Sequence, residues 1–238
     1  MGGISVRGHI RWLPDEASEP TSTMVVTGAN HHFVDIRVLK PEGEKGPWPV
    51  DQEKVSLDRV EWLIAGTSSY WNIDGEDFTH GRWEHWIDSR TTDTAGAADE
   101  GINFAQPDGS TLEKGTMENP ATGKDAEYEE LWYAPEPRPT PTGPVKSLVL
   151  KLDRDGGKVK GLVVRLGQYC QGFLRRDQEL AAERWEWTEA AGWKRMISIG
   201  DESALPCSLI LGEDASYHEG DSIKVGDDYW KAIEAIGF

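Results

Sequence analysis

Apolar and polar positions alternate with period two along most of the chain, the pattern of half-buried β-strands rather than helices. "GHIRWLP" sets Ile10 and Trp12 on one face, "HHFVDIRVLK" sets Val34, Ile36 and Val38, and "VEWLIAG" sets Val60, Trp62 and Ile64. In "GRWEHWIDSR", alternation puts Trp83, His85 and Ile87 together and turns Glu84, Trp86 and Asp88 the other way. "AEYEELWY" likewise aligns Tyr128, Glu130 and Trp132. The pattern stops at "APEPRPTPTGP", residues 134–144, where five prolines in eleven positions exclude a central strand or a helix interior. It resumes with "SLVLKLD", a "DGG" hairpin turn, "KVKGLVVRLGQYCQGFL" and the Trp185/Trp187 segment "RWEWTEAAGWKRMISIG". "KAIEAIGF" reads either as the end of a last strand or as a terminal helical turn.

Many short strands without a long amphipathic helix define an all-β chain. Closure into small antiparallel barrels removes the exposed edges such strands would otherwise present. The expected organisation is an N-terminal β-barrel domain over 1–133, a proline-rich linker over 134–144 and a C-terminal β-barrel domain over 145–238. Segments 40–56 and 89–125, rich in Gly, Pro, Asp and Thr, read as long loops.

Charge narrows the partners. With 25 bases against 42 acids the formal net charge is -17, which disfavours nucleic acid and anionic membrane surfaces. The asymmetry is strong: residues 1–143 carry 12 bases and 26 acids, so a basic protein surface would be drawn to that half. Two cysteines, Cys170 and Cys207, and no Cys/His cluster indicate neither a disulfide scaffold nor a zinc site. Cys170 alternates with Leu162, Val164 and Leu166 and reads as a buried thiol. The opening "MGGISVRGHIRW" lacks an apolar run with a cleavage site, and nothing approaches the roughly 18 apolar residues of a membrane span, so a soluble cytoplasmic protein is expected.

"AGTSS" at 65–69, "HWIDSR" at 85–90, "YEELW" at 128–132, "SLVLKL" at 147–152 and "GLVVRLGQYCQGFL" at 161–174 occur in family order, and "RWLPDEASEPTSTMVV" precedes them. In these segments the chain resembles the fungal HRI protein family, whose yeast member is a partner of a casein kinase. The resemblance implies two consecutive lipocalin-like antiparallel β-barrels and a location in cytoplasm or nucleus. It supplies no catalytic motif.

The residues' own chemistry offers candidates. If the apolar-rich faces point inward, the N-terminal barrel holds Trp12, Trp62, Trp83, Tyr128 and Trp132 as a ligand-binding wall. His85 and Glu130 are then its inward ionisable groups and candidate catalytic pair, with Asp88 turned away from His85. A carboxyl among aromatic rings resists ionisation, and an imidazole nearby could relay its proton. The competing account of both is hydrogen bonding inside a filled core. No nucleotide, hydrolase or metalloprotease signature occurs, and neither cofactor nor metal is implied.

Two functions follow. The first is a barrel binding a small hydrophobic molecule, with an enzymatic form that acts as a cofactor-free cyclase, isomerase or dehydratase (lyase) in a fungal natural-product pathway. The second is a non-catalytic adaptor docking a kinase or another basic partner through acids such as Asp99, Glu100 and Glu129.

Overall fold

The computed structural model describes residues 2–44, 46–141, 143–212 and 216–238. Strands β1 (Gly3–Trp12), β2 (Thr21–Thr27), β3 (His32–Leu39), β5 (Val60–Asn72), β6 (Thr79–Asp88), β7 (Ala98–Ala105), β8 (Thr111–Asn119) and β9 (Lys124–Tyr133) pair successively and antiparallel. The β1–β9 ladder closes them into an eight-stranded barrel. A second eight-stranded sheet contains β10 (Lys146–Arg154), β11 (Val159–Leu166), β12 (Tyr169–Arg176), β13 (Glu179–Thr188), β14 (Gly192–Ile199), β15 (Ser222–Val225) and β16 (Asp228–Gly237). Its order is β15-β16-β10-β11-β12-β13-β14-β4, the last strand being β4 (Glu53–Val55). β4 comes from the N-terminal half and runs parallel to β14, with Val55 beside Ile199, so residues 53–55 cross over to the second sheet. "KAIEAIGF" is strand as far as Gly237.

The 89–125 segment departs from its reading as a loop, because it contains β7 and β8. In "ADEGINFA" only Ile102 and Phe104 alternate as apolar residues, and in "TLEKGTMEN" Leu112 and Met117 fall on opposite faces, so the apolar alternation that announces them is short or absent. One side meets solvent and the other a polar barrel interior.

β3 is buried on both faces, and its apolar face points away from the barrel axis. Val34, Ile36 and Val38 pack with Ile4, Val26, Leu63 and Ala65 against Val149, Leu162, Val164 and Phe173 of the second sheet. This seam is a dry aliphatic core, each fully buried side chain contributing roughly 1.5–3 kcal/mol of transfer free energy. The opposite face, Phe33, Asp35 and Arg37, turns into the barrel.

Polar side chains fix the register of the two sheets. The Gln171 amide donates to the carbonyls of Met24 (2.9 Å) and Val34 (2.8 Å). Arg184 donates to Gln171 Oε1 (2.8 Å), Ser22 Oγ (2.7 Å) and the Ile36 carbonyl (2.7 Å). Burial without a carboxylate contact lowers its pKa to about 10, which leaves it cationic at neutral pH. Glu234 accepts from the backbone N–H groups of Ala29 (2.8 Å) and Asn30 (2.6 Å).

Segment 134–144 carries no strand among its described residues, yet it is tied down. Arg138 N–H donates to Gln168 Oε1 (2.7 Å), and Gln168 Nε2 donates back to the Glu136 carbonyl (3.1 Å). Arg165, on the face of β11 opposite Leu162 and Val164, is buried and reaches Thr140 Oγ1 (2.9 Å) and the Ile210 carbonyl (2.6 Å).

Candidate functional site

Eight strands enclose a barrel that ordinary side chains can just fill. This one is not filled: a cavity of about 300 Å³ opens inside it. Three consecutive strands carry glycine at inward positions, Gly81 on β6, Gly101 on β7 and Gly115 on β8. A Cβ at Gly101 would stand 2.7 Å from Glu113 Cγ, and one at Gly115 would stand 2.6 Å from the Tyr128 hydroxyl. Glycine there lets the Glu113 and Tyr128 side chains lie flat across neighbouring strands instead of crossing the lumen. The exposed lining residues Tyr70, Ala105 and Tyr133 lie where β5, β7 and β9 leave the barrel, and they mark its mouth.

The wall is strongly charged. Arg7 pairs with Glu130 (2.5 Å) and Glu19 (2.8 Å) and donates to Thr21 Oγ1 (2.7 Å). Arg37 binds Asp35 (2.8 Å) and stands 3.7 Å from Glu130. Burial pushes the Asp35 carboxyl up against the pull of Arg37. Glu113 has no arginine of its own. Burial first, then the Glu130 charge, raise its pKa to about 8, against a hydrogen bond from Tyr128 Oη at 2.7 Å. At neutral pH it therefore keeps its proton. Burial and the same two glutamates push the Tyr128 phenol upward as well.

A β-bulge on β6 rearranges the expected pair. Ala65 opposes Ile87 while Gly66 opposes His85, which leaves Trp86 as the extra residue and reverses the alternation beyond it. Ile87 thus joins the seam, and Asp88 turns inward beside His85. The expectation that Asp88 points away from His85 is overturned: Asp88 Oδ2 lies 3.0 Å from His85 Nδ1. A carboxylate oxygen of Asp99 lies 3.3 Å from His85 Nε2, an ion-pair distance whose angle leaves that nitrogen without an aligned hydrogen bond. Burial alone would lower the His85 pKa, but the two flanking carboxylates outweigh it and raise it to about 9. His85 is therefore an imidazolium. Asp88 is held below its usual range because His85, the Arg90 N–H (2.7 Å) and Trp62 Nε1 (2.9 Å) overcome the effect of its burial.

The predicted residues divide by position. Trp83, Tyr128, Trp132 and Glu130 line the cavity. Trp62 and His85 form a layer behind it, edge to face at 5.6 Å, with the Arg90 guanidinium 3.8 Å from the Trp62 ring centre. Trp12 packs edge-on to Tyr128 at 6.1 Å and is not among the lining residues. Glu130 engages Arg7 and Arg37 rather than His85. The lining also holds Asp35, Arg37, Asn103 and Glu113, which alternation assigned to the outer face of a strand or to a loop. Asn103 and Glu113 leave one sequence sign, a glycine two residues away (Gly101 before Asn103, Gly115 after Glu113), whereas Asp35 and Arg37 leave none.

Among the described residues, three buried polar atoms of the lining have no partner: Asp35 Oδ1, Asn103 Nδ2 and Trp132 Nε1. Asp35 is only 2% exposed. An unpaired buried group costs about 1–3 kcal/mol, so three around one void leave an unmet hydrogen-bonding demand in the wall.

Of the acids expected to face a partner, Glu100 and Glu129 lie in strands with cations beside them, and Asp99 faces the cavity. Glu100 pairs with Arg82, and Glu129 pairs with Lys114 (2.7 Å) and Arg11 (3.5 Å). Among the described residues no group of His, Cys, Asp and Glu could hold a metal ion, and no helix is long and apolar enough to cross a membrane. Cys170 and Cys207 are both buried free thiols.

No curated protein matches the chain. Among solved structures, an uncharacterized protein from Saccharomyces cerevisiae superposes with a TM-score of 0.75 at 19% identity, covering 100% of both chains, which establishes a shared fold. The family model described as "Protein HRI1" matches residues 3–234, and the chain belongs to that family.

Proposed function

We propose that the barrel binds a small, mostly apolar molecule with one polar end. The observation that carries this reading is the open cavity whose buried lining atoms Asp35 Oδ1, Asn103 Nδ2 and Trp132 Nε1 lack partners. Phe33, Ile64, Trp83 and Trp132 offer the apolar wall, while the unpartnered donors and acceptor fix the polar end. The enzymatic form of the same reading is a cofactor-independent isomerase, cyclase or lyase. There Glu113, protonated at neutral pH, is the proton donor. Glu130 is paired with Arg7, and His85 is held as an imidazolium by the two aspartates.

The neutral fluorophore N-phenyl-1-naphthylamine tests binding. Its emission should rise and shift blue on addition of the protein. Ala105→Trp, which plugs the mouth, should abolish the change without altering the melting temperature. An unchanged signal in that variant places the probe elsewhere, and no enhancement with the native chain overturns the reading.

A further inference from the structure

A second cavity, of about 360 Å³, opens at the seam between the barrel and the second sheet. The segment after β6 forms one wall, and the β10–β11 and β12–β13 turns form the other. Its chemistry is opposite to that of the barrel. Arg175, only 8% exposed, lies among its lining residues. This guanidinium donates to the carbonyls of Thr91 (2.6 Å), Asp177 (2.8 Å) and Asp88, all neutral acceptors. Lys160 Nζ donates to the Trp86 carbonyl at 3.3 Å, and Lys158 is exposed at the rim.

None of these three cations takes part in an ion pair among the described residues, although acids outnumber bases 42 to 25 in the chain. Two acids border the cavity. The Asp88 carboxylate is turned into the barrel, towards His85 and Trp62, and Asp177 stands exposed at the rim. The hydroxyl-bearing Thr91, Thr92 and Thr94 complete the wall beside Trp86, whose ring centre is 4.1 Å from Lys151 Nζ.

We propose that this cavity binds a phosphate group, free or carried on a small organic molecule, held by Lys158, Lys160 and Arg175 with the threonine hydroxyls as further donors. A buried or half-buried cation outside any ion pair, as Arg175 and Lys160 are, is costly; a doubly charged oxyanion with several acceptor oxygens relieves both at once, and exposed Lys158 at the rim adds a third positive charge. The site is separate from the barrel cavity and does not depend on what that cavity holds.

Isothermal titration of the full chain at fixed ionic strength, with inorganic phosphate, phenyl phosphate and chloride, tests it. Phosphate should bind with one-to-one stoichiometry, and chloride should not compete. Tighter binding of phenyl phosphate points to an organic phosphate resting on Trp86, whereas equal affinity points to the free ion. The double variant K158E/K160E should bind about tenfold more weakly or worse, while K124E, an equal type of reversal on the far hairpin of the barrel, should leave affinity unchanged. If K158E/K160E does not fold, the exposed single change K158E should still weaken binding about threefold. Absence of phosphate binding overturns the proposal, as does an equal loss in K124E.

Discussion

The barrel and the second sheet use the same strand grammar and reach opposite interiors. Both carry glycine where a side chain would collide with a neighbour. In the second sheet that space is filled: a Cβ at Gly161 would stand 2.2 Å from the Trp230 ring, which is fully buried among Leu150, Leu174 and Ala232. In the barrel, Gly81 meets Trp83 and Asn103 while Gly101 and Gly115 meet Glu113 and Tyr128, which hydrogen-bond to each other along the wall, and the charged pairs Arg7–Glu130 and Arg37–Asp35 are anchored there too. Charges anchored at the wall do not collapse into a void as aliphatic chains do. A hollow interior here is thus a consequence of wall electrostatics, and a solid one of apolar packing.

The two interiors should therefore fail differently. The largest effect belongs to the solid one: Trp230→Ala removes its biggest fully buried side chain and should cost about 3–5 kcal/mol in urea unfolding. A loss below ~1 kcal/mol would mean that the second sheet is not packed as described. In the barrel, the corresponding damage comes from charge. Arg7→Met strands Glu130, which is buried and left with Arg37 at 3.7 Å, and should cost about 3 kcal/mol. Adding Glu130→Gln to Arg7→Met should restore most of that loss. No rescue would show that Arg7 acts through packing rather than through its charge.

The same contrast explains what the sequence disclosed. β5 and β9 were legible because one face is apolar or aromatic and points inward, as Trp62, Ile64, Tyr128 and Trp132 do. β3 faces opposite to the expectation from its alternation. A strand between a polar cavity and a second sheet has its aliphatic face on the seam, and alternation alone cannot distinguish that seam from a barrel core. β7 and β8 leave little periodic trace, Ile102 and Phe104 alone alternating opposite Asn103, since the side that lines the cavity is largely polar. The bulge at Trp86 was equally hidden: it slips the facing by one residue, exchanging Ile87 for Asp88 beside His85. Glu113 was missed with β8, although it is the lining carboxyl that burial most clearly keeps protonated.

Titration separates the interiors next. His85 titrates near 6.5 in an unfolded chain and near 9 in the barrel, so its contribution is complete below pH 6.5 and is lost as pH rises through 9. Glu113 acts in the same direction over a lower window. Between about pH 4.5 and 8 the unfolded chain has released a proton that the folded barrel still holds, so stability falls as pH rises. Together they should cost on the order of 6 kcal/mol between pH 6 and pH 9.5 in chemical denaturation, a little over half of it from His85. His85→Gln should remove the upper part of the slope and Glu113→Gln the lower part. An imidazole resonance titrating near 6.5 in the native protein would refute the His85–Asp88–Asp99 arrangement.

The smallest effect is the most discriminating. Asn103 presents an unpartnered amide nitrogen to the cavity. Replacing it with Leu, similar in size and apolar, removes an unsatisfied donor and should change stability by less than about 1 kcal/mol, in either direction. The reverse exchange in the solid interior, Leu150→Asn, buries an amide without a partner and should cost about 3 kcal/mol. If the polar wall exists only to hold the fold, Asn103→Leu should leave N-phenyl-1-naphthylamine binding unchanged. If it exists to orient a ligand, that variant should remain folded and bind the neutral probe at least as well, yet lose its preference for probes with a hydrogen-bond acceptor over hydrocarbons of the same size. Comparing naphthalene with 1-naphthaldehyde by competition against the fluorophore reads that preference directly. Equal displacement by both compounds in the native chain would show that the amide orients nothing.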